Sequence, residues 1–499
     1  MHRLRAPTSM LRMPFPKPLS RNISLTCRGE PIQAEQLLEY TKGRFVARFD
    51  LNALCNLVSS LPSIPSPIAK VDKLEGGFNK ALLMTAENGE EVIAKIPCPN
   101  VVPPRYSAAS EAAVLQYVRS KTSVPAPEVL AWSSDSSNPI QSEYIVMQKA
   151  EGIQLVDVWG DMNQLQQFKL IQNLVRLEGE LASLKFPAYG NLYFRHSPHL
   201  VGSDDDVIPF DYDDEYWIGP AYNAAWFPQP GKTHHTAPCA NLSDLGLALA
   251  NRGLCKVKQS PLIPRRPHFG SQTEHIELLR TAMETITKVV ELPHLERVSR
   301  LILWHGDLHL GNIFVSNDDP TTIVGIIDWQ FACIKPVFLQ VQWPFFLRPP
   351  EGYEFGLVQP KLPANFDEMN DGEKAYAESE RDDALLAKLR DLFSLCERTW
   401  EDGIIPLRDS LKEISENWHH MGISGSCAYR ISNEVAAKHD VELSRYKDWE
   451  TLKGYTHPLL DFNEVRERHD ELFQLYMQRE PEVMAEQEAR SLWFYIDRT

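Results

Sequence analysis

The sequence predicts an α+β fold of two unequal lobes: a small antiparallel sheet with one inserted helix, followed by a larger, mainly helical part. Three observations carry this. Short apolar runs separated by turn residues fill the stretch from Ala69 to Met147. Long tracts of helical apolar spacing follow, Leu155–Leu184 and Glu274–Leu303. Between the two kinds of pattern lies a strand, Tyr144–Met147, after which the character of the chain changes.

The elements follow in order. Ile32 to Val58 reads as largely helical, with apolar Leu37, Leu38, Phe45, Val46, Leu54 and Leu57, and Pro62, Pro65 and Pro67 end it. Val71–Leu74, Ala81–Thr85 and Val92–Ile96 read as strands. The first two are separated by Glu75-Gly76-Gly77-Phe78-Asn79. The second and third are joined through Asn88-Gly89, a pair suited to a tight hairpin. Ser107–Ser120 is helical by spacing, and Val129–Trp132 and Glu143–Met147 complete the sheet. Beyond it, Leu155–Leu184 is helical with a break near Asp161, Pro187 to Pro267 reads as irregular, and Glu274–Leu303 as helical up to a further strand. Asp383–Trp400 and Asn463–Met484 read as amphipathic helices, the latter interrupted by Pro481. The divisions expected are 1–29, 30–68, 69–150, 151–345 and 346–499, namely a basic leader, a helical extension, the small lobe, the large lobe and a mainly helical C-terminal extension.

The length of 499 residues allows more than one core. No apolar run reaches the length of a membrane span. A formal charge of −16 opposes a nucleic-acid partner, which needs a basic face. Eight scattered cysteines without a C-x-x-C pair indicate reduced thiols. The first 29 residues differ from the rest. Arg3, Arg5, Arg12, Lys17, Arg21 and Arg28 occur there with interleaved Ser and Thr, and no Asp or Glu precedes Glu30. That composition is similar to a mitochondrial transit peptide, although Pro7, Pro14, Pro16 and Pro18 break any long amphipathic helix.

The chemistry-bearing stretch is His305-Gly306-Asp307-Leu308-His309-Leu310-Gly311-Asn312, followed by Ile326-Ile327-Asp328-Trp329. An Asp able to take a hydroxyl proton stands five residues before an Asn able to hold a metal. A second Asp ends an apolar run and reaches the metal from the other side. The remaining parts of such a phosphoryl-transfer site occur in order. Gly76, Gly77, Phe78 and Asn79 lie in the turn where a backbone must approach phosphate oxygens. Lys95, in Val92-Ile93-Ala94-Lys95, is placed to meet the α- and β-phosphates. Glu111, sixteen residues on, is placed to hold its ammonium. Met147 and Lys149 fall where a hinge would offer backbone groups to adenine. Asp307 is the expected proton acceptor, and Asn312 and Asp328 the expected ligands of Mg²⁺, a hard cation that prefers oxygen. His305 is expected to brace the loop and His309 to touch the γ-phosphate, with a pH dependence that an imidazole would impose.

HGDLHLGN and IIDW resemble the aminoglycoside phosphotransferase and choline-kinase-like family, of protein-kinase-like bilobal fold. The resemblance runs from about Ala69 to Pro336. With Glu75–Lys80 (EGGFNK), Tyr144–Met147 (YIVM) and the basic N-terminus, the pattern is similar to the fungal "altered inheritance of mitochondria" protein 9 family. The resemblance implies ATP and Mg²⁺ as cofactors and a mitochondrial location, and it supplies no acceptor. Gly306 stands where protein kinases carry Arg, and His309 where they carry Lys. Asp328-Trp329-Gln330 replaces D-F-G, and no A-P-E follows. These departures favour a small-molecule hydroxyl acceptor over a protein one.

Asp204-Asp205-Asp206 and Asp211-Tyr212-Asp213-Asp214-Glu215-Tyr216-Trp217 mix acids with aromatics. The run suits either a cationic acceptor or a solvated acidic loop. Two functions remain open at this point. One is a small-molecule phosphotransferase. The other is a nucleotide-binding scaffold without turnover in mitochondrial maintenance, with a protein partner on the C-terminal helices.

Overall fold

The computed structural model describes residues 23–27, 29–33, 49–74, 79–98, 104–197, 210–222, 237–259, 269–341, 344, 346–347, 361–456 and 473–474. The fold is α+β and bilobal. The small lobe is a seven-stranded sheet of order β2-β1-β3-β4-β5-β7-β6. Its strands are β1 (Ser24–Cys27), β2 (Glu30–Pro31), β3 (Ile68–Leu74), β4 (Asn79–Ala86), β5 (Glu91–Pro97), β6 (Val129–Ser133) and β7 (Tyr144–Gln148). Helix α1 (Leu51–Ser59) precedes β3, and α2 (Tyr106–Lys121) lies between β5 and β6. Strand alternation sorts the side chains to two faces. Leu82, Met84, Val92, Ala94, Ile96 and Val146 pack with Leu54 and Val58 of α1. Ile145 and Met147 face the other way, toward Val114 and Val118 of α2 and Leu170 and Leu174 of the large lobe. The hairpin between β4 and β5 turns as expected, with Gly89 at φ 88° and Asn88 accepting a bond from the Glu90 N–H at 3.1 Å.

The N-terminal segment differs from the expectation. Ile32, where helix was expected, donates its backbone N–H to Leu25 at 3.0 Å, next to strand β2, while Leu51–Ser59 is helical as expected, with Asp50 capping the Ala53 N–H at 3.1 Å. Residues 34–48 lie outside the described residues. Strand β1 falls inside the basic leader expected over 1–29 and pairs in parallel with β3, from Ser24 beside Lys70 to Cys27 beside Lys73. A leader that ended at residue 29 would therefore take with it β1, the strand between β2 and β3.

In the large lobe, β8 (Ile153–Gln154), α3 (Leu155–Val158) and α4 (Gln164–Ser183) follow the hinge, with the break near Asp161 in its expected place. The described residues between 187 and 267 are more regular than the sequence suggested. They carry β9 (Asn191–Phe194), β10 (Phe210–Asp211) and β11 (Tyr216–Gly219), which form a sheet of order β10-β11-β9, and helix α5 (Leu242–Gln259). Two glycines hid α5. Gly253 lies so close to α9 (Asp371–Asp402) that an added Cβ would sit 2.0 Å from the Cys396 carbonyl oxygen, and at Gly246 it would sit 2.7 Å from Phe393. They are contact points between helices, not breaks in one.

The helical tract after Gln272 divides into α6 (Gln272–Val289) and α7 (Pro293–Val298), then gives way to β12 (Leu301–Trp304). Next come β13 (Ile313–Val315), β14 (Ile323–Ile326), β15 (Cys333–Pro336) and α8 (Val337–Gln340). The extension contributes α9, α10 (Ile405–Glu416) and α11 (Asn433–Thr456). Its Phe393, Leu407 and Leu411 share one core with Leu249, Leu279 and Ile286, so it is built into the large lobe. Of the helix expected over 463–484, only residues 473–474 are described, and they are helical. Among the described residues, no helix is long and apolar enough to cross a membrane.

Candidate active site

Strands β12 and β15 pair antiparallel, and this pairing sets out the chain that ends in His305. A 3₁₀ turn at Leu310–Asn312 then leads into the β13–β14 hairpin, which returns the chain to Asp328. His305 ties the two ends together. Its Nε2–H donates to the Ile327 carbonyl at 2.8 Å, and its Nδ1 accepts the Asp307 N–H at 3.3 Å. The ring also meets Trp329 edge-on at 4.8 Å. Burial pushes its pKa down, and both ring nitrogens are committed. A neutral imidazole in that setting orients the loop and has no proton to trade.

Asp307, by contrast, is open to solvent. Among the described residues its carboxylate meets only His309, whose Nε2 lies 4.0 Å away with a side chain 53% exposed. His309 accepts the Gly311 N–H on Nδ1 at 3.0 Å, which leaves Nε2 as the N–H that faces Asp307. Asn312 donates its amide N–H to the Asp307 carbonyl at 2.8 Å, so its side-chain oxygen remains for a cation. The backbone closes the constellation, with the Ile327 N–H on the Asn312 carbonyl at 2.9 Å.

The small lobe supplies the counter-charge. Lys95 Nζ lies 2.5 Å from Glu111 and 2.7 Å from Asp328. Burial alone would lower the lysine pKa, but the two carboxylates outweigh it and raise it, so the ammonium stays charged. Burial raises the Asp328 carboxyl, yet the charge and hydrogen bond of Lys95 bring it below its ordinary value. Glu111 is pushed up, first by burial, against the pull of Lys95. Asp328 adopts φ 62°, a backbone conformation that side chains seldom take and that turns its carboxylate toward Lys95. Its side chain is 37% exposed, which leaves an oxygen within reach of solvent or a cation.

The remaining predicted residues distribute differently. Gly76, Gly77 and Phe78 lie outside the described residues. Asn79 does not point free at the turn, because its amide N–H is bonded to the Gln330 side-chain oxygen. Met147 buries its side chain in the core between the lobes, and its backbone lies within the sheet, opposite Ile93 of β5 and Val129 of β6. Lys149 is bonded to Glu91 at 2.6 Å on the outside of the sheet. In the acidic run, residues 204–209 lie outside the described residues, and Tyr216 and Trp217 are buried. Tyr216 packs on Tyr117 and Phe194, and Trp217 on Tyr193, so neither face is free to receive a cation. Asp213 accepts the N–H groups of Glu215 and Tyr216 at 2.9 and 2.8 Å and so shapes a turn.

Two residues escaped the sequence reading. Gln154 donates to the Gly311 carbonyl at 2.8 Å and pins the catalytic turn to the start of the large lobe. Gln330 bonds across the lobes to Asn79. Nothing in spacing or residue type marks a lone glutamine as a partner 157 or 251 residues away. Among the described residues no group of three His, Cys, Asp or Glu side chains could hold a metal. The Asn312 and Asp328 oxygens fit a cation that takes part of its shell from phosphates and water, as Mg²⁺ does.

Residues 255–339 match the family described as phosphotransferase enzyme family. The chain is 31% identical over 340 residues to a subtelomeric hrmA-associated cluster protein of Aspergillus fumigatus, covering 59% of this chain and 64% of that one. It is 22% identical over 396 residues to "altered inheritance of mitochondria protein 9, mitochondrial" of Saccharomyces cerevisiae, covering 69% of this chain and 62% of that one. The match thus spans less than two thirds of each relative. Among solved structures, an aminoglycoside phosphotransferase bound to AMP-PNP and hygromycin B aligns with TM-score 0.34 at 14% identity, covering 74% of this chain and 93% of that one. Amicoumacin kinase in complex with AMP-PNP, Ca²⁺ and Ami aligns with TM-score 0.33 at 14% identity, covering 80% of this chain and 94% of that one.

Proposed function

We propose that this chain, which carries a phosphotransferase-family domain, transfers the γ-phosphoryl group of ATP to a hydroxyl of a small molecule. The observation that carries the reading is Lys95 held between Glu111 and Asp328, beside a solvent-open Asp307. A scaffold needs none of this asymmetry, in which one carboxylate is paired and the next is left to face an incoming group.

The roles follow from the contacts. Lys95 stays charged and, steadied by Glu111, meets the phosphates of the nucleotide. Asp328 and the Asn312 oxygen would hold Mg²⁺, which supplies charge neutralisation at the transferring phosphoryl group. Asp307 orients the acceptor hydroxyl and takes its proton as the oxygen attacks phosphorus. His305 keeps Asp307 and Asp328 at a set separation through Ile327. Gly306 offers no guanidinium to read a phosphorylated loop, which favours a site assembled without prior modification. The relatives named for mitochondria and the basic N-terminus support a mitochondrial site of action.

The test uses the full chain with Mg²⁺, γ-labelled ATP and a deproteinised mitochondrial metabolite extract. Label is expected on a small molecule. Asp307→Asn should slow its appearance by about 10³-fold, the range of a lost general base, while AMP-PNP affinity stays within about twofold. Transfer at an unchanged rate in that variant would overturn the assignment. Label on protein instead of metabolite would overturn the choice of acceptor.

A further inference from the structure

A second, uncharged set of contacts runs beside the charged one. Asn79 begins β4, directly after the glycine turn, and lies on the same face of the sheet as Lys95 of β5. In the β4–β5 register, Asn79 stands opposite Pro97 and Ala81 opposite Lys95. Ser107 precedes Glu111 by four residues and shares its face of α2. Gln330 follows Asp328 by two. The Gln330 side-chain oxygen accepts the Asn79 amide N–H, and its own amide reaches the Ser107 hydroxyl at 3.5 Å. All three residues are buried, at 7%, 1% and 3% exposure for Asn79, Ser107 and Gln330. Sheet, helix and turn each contribute one charged and one neutral member. Lys95, Glu111 and Asp328 form one set, and Asn79, Ser107 and Gln330 form the other.

The two sets face different demands. When nucleotide arrives, Lys95 and Asp328 must give up their mutual bond to meet phosphate and cation. That bond is the only charged tie between sheet and turn among the described contacts. The neutral set has no such duty, since an amide pair neither ligates Mg²⁺ strongly nor competes for phosphate.

We propose that Gln330 is a positioning residue that keeps β4 and α2 docked on the 328–331 turn while the charged set opens to admit nucleotide. This rests on the nucleotide-binding reading of the site. The contact is worth having because it is buried. An amide–amide bond made out of water costs little to keep and much to leave half-made. Other contacts on the same helix face point the same way. Asn191 bonds both Ser110 and the Ala332 carbonyl, at 3.2 and 3.0 Å, and Tyr222 reaches the Ser107 carbonyl at 3.4 Å. These reach α2 from the large lobe but do not touch β4. Gln330 bonds both β4, the strand that follows Gly76-Gly77-Phe78 in sequence, and the helix that carries Glu111.

The experiment compares the full chain with Gln330→Met, Asn79→Leu, the double variant and Gln330→Glu. The carboxylate of the last accepts from both Asn79 and Ser107. Two readings are taken: amide hydrogen exchange over 79–86 and 106–115 without nucleotide, and AMP-PNP·Mg²⁺ affinity. Gln330→Met and Asn79→Leu should each speed exchange in both segments about tenfold and weaken nucleotide by a similar factor. The double variant should be no worse than either single change, and Gln330→Glu should restore the slow exchange. Unchanged exchange in Gln330→Met, or additive losses in the double variant, overturns the proposal. If the parent chain binds no nucleotide, the reading of the site fails, and the exchange comparison still decides whether the neutral set docks the lobes.

Discussion

Lys95 lies between Glu111 and Asp328 at the meeting of the lobes. Lys388 lies against Asp409 in the C-terminal helices, where His439 takes the other carboxylate oxygen. Both lysines are withdrawn from water, at 10% and 1% side-chain exposure. Their carboxylates differ more. Asp328 is 37% exposed and Asp409 is 1% exposed. Burial would raise the Asp409 carboxyl, and the His439 bond and the Lys388 charge bring it below its usual value. Asp328 reaches the same direction with one side open. The difference separates an ion pair that can exchange partners from one that cannot. A pair sealed between helices has no route for phosphate or cation, whatever its charges. The same chemistry with one carboxylate open to solvent leaves room for a ligand to break the pair.

The largest effect should come from breaking the sealed pair. Lys388→Met leaves Asp409 charged and buried with only His439 beside it, and the expected loss of stability is roughly 3–5 kcal/mol, measured by denaturant melting. Replacing both members, Lys388→Met with Asp409→Leu, should recover most of that loss, because no buried charge then lacks its partner. A single variant as stable as the parent would show that water reaches the pair and would erase the contrast.

Lys95→Met tests the other half. Glu111 is already pushed toward its neutral form, and Asp328 keeps access to solvent, so stability should fall by only about 1 kcal/mol. Phosphoryl transfer should fall by 10²-fold or more, since the charge that meets the phosphates is gone, on the order of 3 kcal/mol. If Lys95→Met and Lys388→Met lost equal stability and left transfer alone, the site would be a structural ion pair like its counterpart.

How far these arrangements could be read from the sequence follows the same division. The meeting of Lys95 with Glu111 and Asp328 was legible because the proposed chemistry demands those residue types at those spacings. The strands around them were legible because one buried face imposes alternation, and β3 to β7 appear within a few residues of expectation. Helix α5 was not legible, because Gly246 and Gly253 look like breaks until Phe393 and Cys396 are seen against them. Tyr216 and Trp217 were misplaced for a related reason. An aromatic beside acids reads as a binding face, and only Tyr117, Phe194 and Tyr193 show that the rings pack inward. Lys388 and Asp409 carried no signal at all, as two charges on amphipathic helices are normally solvated. Gln154 and Gln330 act through contacts that no local pattern records.

A third acid, half-buried, sharpens the contrast with the smallest effect. Glu178 of α4 lines a small apolar cavity behind the catalytic loop with Leu177, Trp304, His305, Leu308 and Trp329. It has no bonded partner among the described residues, and burial pushes its carboxyl up to about 7. Unlike Asp328 and Asp409, it has no cation to bring it down. Its folded pKa exceeds the ordinary 4.5, so between those values the folded chain binds more protons than the unfolded one. Its contribution to stability is therefore present at pH 4.5 and below, falls as pH rises toward 7, and stays low above that. Glu178→Gln removes the ionisation and should raise the melting temperature at pH 8 while changing it little at pH 5. The gain should be at most about 3 kcal/mol, and less where water enters the cavity. Because Glu178 stands behind His305 and not before Asp307, transfer at pH 8 should keep its rate in this variant. An equal shift in melting at both pH values would mean that Glu178 is ionised throughout, with a partner that stabilises its charge.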